Sequence, residues 1–274
     1  MKLVVRAAAA VSAVLVSGLV AVPPASAREA PAVAGSAGIG DPYFPQDGNG
    51  GYDVAHYDIH DVYRLGSGAL RGHTTVSAVA TEHLRSFHLD LMLTPDSVSV
   101  DGKRARFAKS GRHELVVTPA STIPSGRRFV ARVGYHGTPK RLSFGGEKPF
   151  FASKDEAIAV NQPHIAPWWF PVNDHPRDKA TYDVTVAVAR GNQVIANGRL
   201  VSRRTTGART SYHWRMRQPM ASYLAFFAAG RYRVESGVSH GLPLTVAVSK
   251  WFGPAAQAQQ LRLMRSSPAI VRWL

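Results

Sequence analysis

The chain of 274 residues contains no cysteine. Disulfides, thiolate metal sites and cysteine nucleophiles are therefore excluded. Acidic residues are scarce as well: 18 Asp and Glu stand against 33 Lys and Arg, giving a formal charge of +15 and a pI near 10.5. Such an excess suits a polyanion such as nucleic acid or an anionic cell envelope. The basic residues are scattered, however, with only short pairs such as Arg127-Arg128 and Arg203-Arg204 and no basic arm. A dispersed, solvated surface is the expectation, with no nucleic-acid partner. Also missing are H-E-x-x-H, G-x-S-x-G and a phosphate-cradling glycine loop, which removes the local signatures of zincins, serine hydrolases and nucleotide binders.

What is present begins with a targeting pattern. "MKLVVR" is basic, "AAAAVSAVLVSGLVAV" is apolar and uncharged, and "PPASA" ends in Ala25-Ser26-Ala27. A permanent anchor is the competing reading, but the small residues at the cleavage positions favour a signal peptide over 1–27. The expectation is a secreted protein with no stable membrane anchor after cleavage. The segment "REAPAVAGSAGIG" (28–40) reads as a flexible leader.

From Asp41 to Lys250 the period is two. Phe129, Ala131, Val133 and Tyr135 alternate with more polar neighbours, as do Tyr182, Val184, Val186 and Val188, and Leu242, Leu244, Val246 and Val248. Further candidates are 52–63, 73–81, 86–92, 113–118, 193–197, 199–205, 209–217 and 223–229, separated by glycine-rich turns. Ten or more short strands predict a mainly β fold, an antiparallel sandwich or saddle of sheets over 41–252. Residues 253–274 switch to helix formers. Ser267 reads as an N-cap with Pro268 at the first helical position. The helix "AIVRWL" then stops after barely more than one turn, so the chain is expected to end inside a second, helical domain.

The polar constellations have bland readings. His56 and His60, four apart in a strand, stand ~13 Å from one another, too far to share a metal. Asp47, Asn49 and Asp53 have calcium-like offsets, but Tyr52 occupies the position that needs glycine. In "FPVNDHPRDKATY" (170–182), Asp174 and His175 form either an acid–base pair or a corner held by Pro171 and Pro176. Trp168, Trp169 and Phe170 read as core.

That stretch resembles the "FPC-x-D-E-P-x-x-K-A-T-F" signature of the aminopeptidase N family of gluzincin zinc metallopeptidases. It is most similar to secreted actinobacterial members. "DPYFPQDGNGGYDVAHYDI" (41–59) is similar to the family's leading strand, "ANGRLVS" (196–202) to its A-x-S-N-G segment, and "RQPMASYLAFFAAGRY" (217–232) to its P-M-S-T-Y-L segment. The resemblance implies a saddle-shaped amino-terminal β-domain followed by a thermolysin-like helical domain holding Zn2+ through H-E-x-x-H and a downstream glutamate. This chain would then carry no catalytic residue, bind no metal itself, and pack against that helical domain. The substrates implied are peptide N-termini. One residue is carried over: Gln162, eight before Phe170, stands where the family places a Gln or Glu that holds the substrate amine. His164, Pro167 and Pro163 depart from the usual pattern around it. A reading of another class is a secreted, non-catalytic β-sandwich that binds acidic cell-envelope polymers or protein partners.

Overall fold

Alternation in the sequence becomes alternation in burial. Along Ala180–Ala189 the residues Ala180, Tyr182, Val184, Val186 and Val188 are buried and those between them face outward. Along Arg128–Gly137 the buried set is Phe129, Ala131, Val133 and Tyr135. A pleated strand with one apolar face must set that face against another layer.

The computed structural model describes residues 31–274. The expected signal peptide over 1–27 lies outside the described residues. In chain order the strands are β1 (Val33–Ala34), β2 (Tyr52–Arg64), β3 (Ala69–Ala80), β4 (Leu84–Asp90), β5 (Thr94–Val100) and β6 (Lys103–Arg104). Next come β7 (Arg106–Ser110), β8 (Glu114–Thr118), β9 (Arg128–Gly137), β10 (Phe150–Ala152), β11 (Ala157–Ala159) and β12 (Ala180–Ala189). The last are β13 (Gln193–Ala196), β14 (Arg199–Thr206), β15 (Arg209–Met220), β16 (Phe227–Gly230), β17 (Tyr232–Ser239) and β18 (Leu242–Ser249). Two helices follow, α1 (Pro254–Met264) and α2 (Ser267–Trp273).

Eight strands form the main sheet in the order β14-β15-β12-β2-β3-β9-β5-β6. Its neighbours are antiparallel except β12 and β2, which run parallel with Tyr182 opposite Tyr57. Two four-stranded sheets, β1-β4-β8-β7 and β10-β11-β16-β13, lie on its buried face. Aromatic rings make the joints: Tyr52 meets Phe87 at 5.7 Å, and Tyr63 meets Phe150 and Phe227 at 5.8 and 5.7 Å. Midway along β2, Tyr57 meets Phe170 at 5.5 Å. A bulge between Val54 and His56 shifts the register, so that Val54 and Tyr57 both point inward. The result is a mainly β sandwich of antiparallel-dominated sheets with a short helical end.

Several expectations need correction. Residues from Pro31 onward are not a free leader, because β1 pairs parallel with β4 and Gly35 N–H donates to Ser86 O at 2.8 Å. Pairing there satisfies the edge of β4, which otherwise presents unpaired backbone groups. The candidate strand 223–229 begins as a 3-10 turn, Ser222–Leu224, and only Phe227–Gly230 is strand. Leu242 and Leu244 lie on a strand but are not core, since β17 and β18 form a separate two-stranded ribbon whose buried residues are Tyr232, Val246 and Val248. Ser267 opens α2, the N-cap being Ser266, whose hydroxyl donates to Leu263 O and caps nothing.

Candidate functional site

Residues 160–179 join β11 to β12 and carry both Gln162 and the proline-bracketed corner. Trp168, Trp169 and Phe170 are fully buried, as their apolar bulk requires. Past Pro171 the backbone pairs back onto the end of β4, with Val172 and Asp90 exchanging hydrogen bonds of 3.0 and 2.7 Å. Asn173 is the hub of the corner. Its Oδ1 accepts from Asn49 N–H at 2.6 Å, and its Nδ2 donates to Asn49 O and to Asp178 at 3.1 and 2.5 Å. Asp178 also accepts from Val54 N–H at 3.1 Å. Burial raises the Asp178 carboxyl to about 7 despite these donors.

Asp174 and His175 diverge and form no dyad. Asp174 Oδ1 accepts from Ser222 Oγ at 2.5 Å, and its backbone N–H donates to Asp90 Oδ2 at 2.9 Å. His175 is buried and turns the other way, with Nε2 3.2 Å from Asp41 Oδ2 and Nδ1 accepting from Arg177 N–H at 3.1 Å. The prolines and this divergence make the stretch a corner.

Ahead of the corner, the Gln162 loop is pinned on both sides of the glutamine. Asn161 Nδ2 donates to His164 O at 2.9 Å and to Glu147 Oε2 at 3.3 Å. His164 Nε2 meets Asp47 Oδ2 at 2.8 Å, and its Nδ1 lies 3.5 Å from Glu147. Burial opposes the charge on His164, but Asp47, Asp174 and Glu147 overcome it and raise the imidazole to about 9. Gln162 itself is exposed, and its side chain makes no hydrogen bond among the described residues. The calcium-like trio also disperses: Asp47 goes to His164, and Asn49 donates to Asp90 Oδ2 at 2.9 Å.

Beneath the corner lies a cluster that sequence reading missed. Asp90, His113 and Glu114 each place a ligand-type atom within 4.8 Å of the others. They come from the end of β4, the turn before β8 and the first residue of β8. Asp90 and Glu114 face each other in register across that pair, and His113 Nε2 lies 3.5 Å from Glu114 Oε1 and 3.9 Å from Asp90 Oδ1. Burial, with Glu114 and Asp174 nearby, pushes the Asp90 carboxyl well above its ordinary range.

Residues 56–224 match the Peptidase M1 N-terminal domain. The chain belongs to this family. Among solved structures it is similar to the M1 zinc metallopeptidase from Deinococcus radiodurans, at 28% identity and TM-score 0.69, over 77% of this chain and 49% of that one. A variant of the Deinococcus enzyme bound to a Tyr-Ser-Ala substrate gives 28% identity and TM-score 0.68, over 77% and 50% of the two chains. Aminopeptidase A of Legionella pneumophila, in complex with aspartic acid, shares the fold at 18% identity and TM-score 0.62, over 76% of this chain and 25% of that one. The M1 chain described here thus spans about half the length of the Deinococcus structures. A comparison with curated proteins finds no match.

A family zinc needs donors to fit it. The 274 residues contain no H-E-x-x-H. The Asp90–His113–Glu114 cluster does not fit a hydrolytic zinc, because the adjoining cavity measures about 20 Å³, room for a water and not for a peptide.

Proposed function

We propose that this M1 chain is the amino-terminal, substrate-side domain of a secreted zinc-dependent aminopeptidase. Its role is to present Gln162 to the free amine of a peptide, while the hydrolytic zinc belongs to a helical domain carrying H-E-x-x-H. The observation that carries the reading is the Gln162 loop: an exposed amide with no internal partner, on a segment pinned by Asn161 and His164. A free glutamine oxygen accepts a hydrogen bond from an ammonium group, and a pinned backbone holds that oxygen in place before substrate arrives. The peptide-bound state of the similar Deinococcus enzyme agrees with a substrate of this class.

The test is release of an aminoacyl reporter, by the chain alone and by the chain joined to the remaining half of a similar M1 zinc metallopeptidase. Chelator-sensitive turnover is expected only in the joined protein. There, Gln162→Ala raises KM with little change in kcat, at a cost of about 1.5–3 kcal/mol for a hydrogen bond to a charged group. Turnover by the chain alone overturns the assignment, and an unchanged KM removes Gln162 from it. Export is part of the proposal: sequencing of secreted material should find Arg28 as the first residue, and a Met1 terminus in the membrane fraction would refute it.

A second reading rests on β14. All of its residues are exposed, and Arg199, Arg203 and Arg204 make this edge strand basic. Such an edge suits an acidic envelope polymer. Binding that persists in Arg203→Gln/Arg204→Gln would exclude it.

A further inference from the structure

Taken together, the side chains under the corner are short of donors. Asp90, Glu114 and Asp174 are buried carboxylates, with Asn49 buried among them. Glu114 Oε1, Asp174 Oδ2 and Asn49 Oδ1 are buried and accept no hydrogen bond, and His113 Nδ1 has no partner either. Unpaired acceptors in a low-dielectric interior are costly, more so when charged. Lys109 offsets part of the negative charge, but its ammonium donates to Leu91 O and not to a carboxylate. His164, which lines the same cavity, is engaged by Asp47, and His88 meets the other oxygen of Glu114 at 3.0 Å.

The geometry is that of a small cation. His113 Nε2 lies 3.5 Å from Glu114 Oε1 and 3.9 Å from Asp90 Oδ1. Ligands bound at 2.0–2.2 Å around a tetrahedral zinc-type ion stand roughly 3.3–3.6 Å apart, so the His113–Glu114 separation already fits, and the remaining pairs, all within 4.8 Å, close by side-chain adjustment. The cavity of about 20 Å³ borders Asp90, His113 and Asp174, and it has room for a single water.

We propose that Asp90, His113 and Glu114 bind one divalent transition-metal ion of the zinc class, with a water in the adjoining cavity as fourth ligand. One imidazole nitrogen with two carboxylates favours zinc, cobalt or nickel over calcium and magnesium, which take oxygen shells. The ion's role is structural. It ties the end of β4 to the start of β8, directly beneath the point where Asp174 N–H reaches Asp90. The proposal does not depend on the peptidase reading.

The test uses the purified chain, stripped with chelator and titrated with Zn2+ and with Co2+. One equivalent is expected, with the visible spectrum of tetrahedral cobalt, a raised unfolding temperature and a shifted ring resonance of His113. Glu114→Gln and His113→Asn should each weaken binding by at least ~10-fold and abolish the thermal shift. Should either variant fail to fold by circular dichroism, the wild-type stoichiometry and the His113 resonance decide. Binding unaffected in both folded variants, binding lost instead in His60→Ala on the outer sheet face, or a response to Ca2+ alone would each overturn the proposal. So would the absence of any stoichiometric ion.

Discussion

The β-body and the carboxy-terminal end of this M1 chain are held together in different ways. In the body, one continuous core runs from Tyr52 to Tyr232, and it is crossed by a polar network centred on Asn173. At the end, α1 rests on the β17–β18 ribbon through a separate small cluster of Val246, Val248 and Leu261 with Leu244 at its margin, and through an exposed Arg265–Glu235 ion pair. Around that cluster Trp251, Leu263, Trp273 and Leu274 stay largely exposed. The contrast teaches that alternation within strands suffices for the body, whereas the end has an apolar surface that its own residues do not cover.

Breaking the hub of the body has the largest expected effect. Asn173→Ala removes three side-chain hydrogen bonds, strands the Asn49 backbone N–H and C=O in a buried site, and leaves Asp178 with Val54 N–H alone. Each stranded group costs about 1–3 kcal/mol, so a loss of about 3 kcal/mol or more is expected in urea unfolding with unchanged m-value. A loss under about 1 kcal/mol would show that the corner is held by Trp168 to Phe170 packing alone.

His164 sharpens the comparison through pH. Its imidazole titrates at about 9 in the folded chain against 6.5 unfolded, so the folded state holds the proton more tightly. The ion pairs with Asp47 and Glu147 therefore stabilise fully below pH 6.5, and that contribution disappears as pH rises through about 9. His164→Gln should cost about 1–3 kcal/mol at pH 6 and much less at pH 9.5, measured by thermal unfolding across the range. A difference independent of pH would mean that His164 acts by packing and not by charge.

How much of this was legible in the sequence follows from the range of the interactions. The period-two strands β2, β9 and β12 were readable because burial on one face is a local pattern. The strand β18 is equally readable from its alternation, but alternation reports two faces and not how much of either is covered, so the exposure of Leu242 is not. Trp168, Trp169 and Phe170 were readable from bulk. The fate of Asp174 and His175 was not, since their partners Ser222 and Asp41 lie 48 and 134 residues away. Likewise nothing local marks Asp90, His113 and Glu114 as neighbours; only the antiparallel pairing of β4 with β8 sets them together. Ser267 was one residue off because a serine pair precedes Pro268 and either can begin the turn. The family motifs identified the corner well before its chemistry could be read.

The smallest stability effect is expected at the end itself. Deleting 254–274 takes away Leu261, whose burial against Val246 and Val248 contributes about 1.5–3 kcal/mol to the ribbon locally. None of the deleted residues belongs to the main core, so the body's unfolding free energy should change by less than about 1 kcal/mol. Removing Trp273, 83% exposed, and Leu274, 90% exposed, also takes away much of an apolar association surface. Light scattering should then show less self-association, and hydrogen exchange should quicken only in β17 and β18. Loss of cooperative unfolding in the shortened chain would instead make the helical end integral to the fold. In that event the two regions are held together as one, and the contrast between them fails.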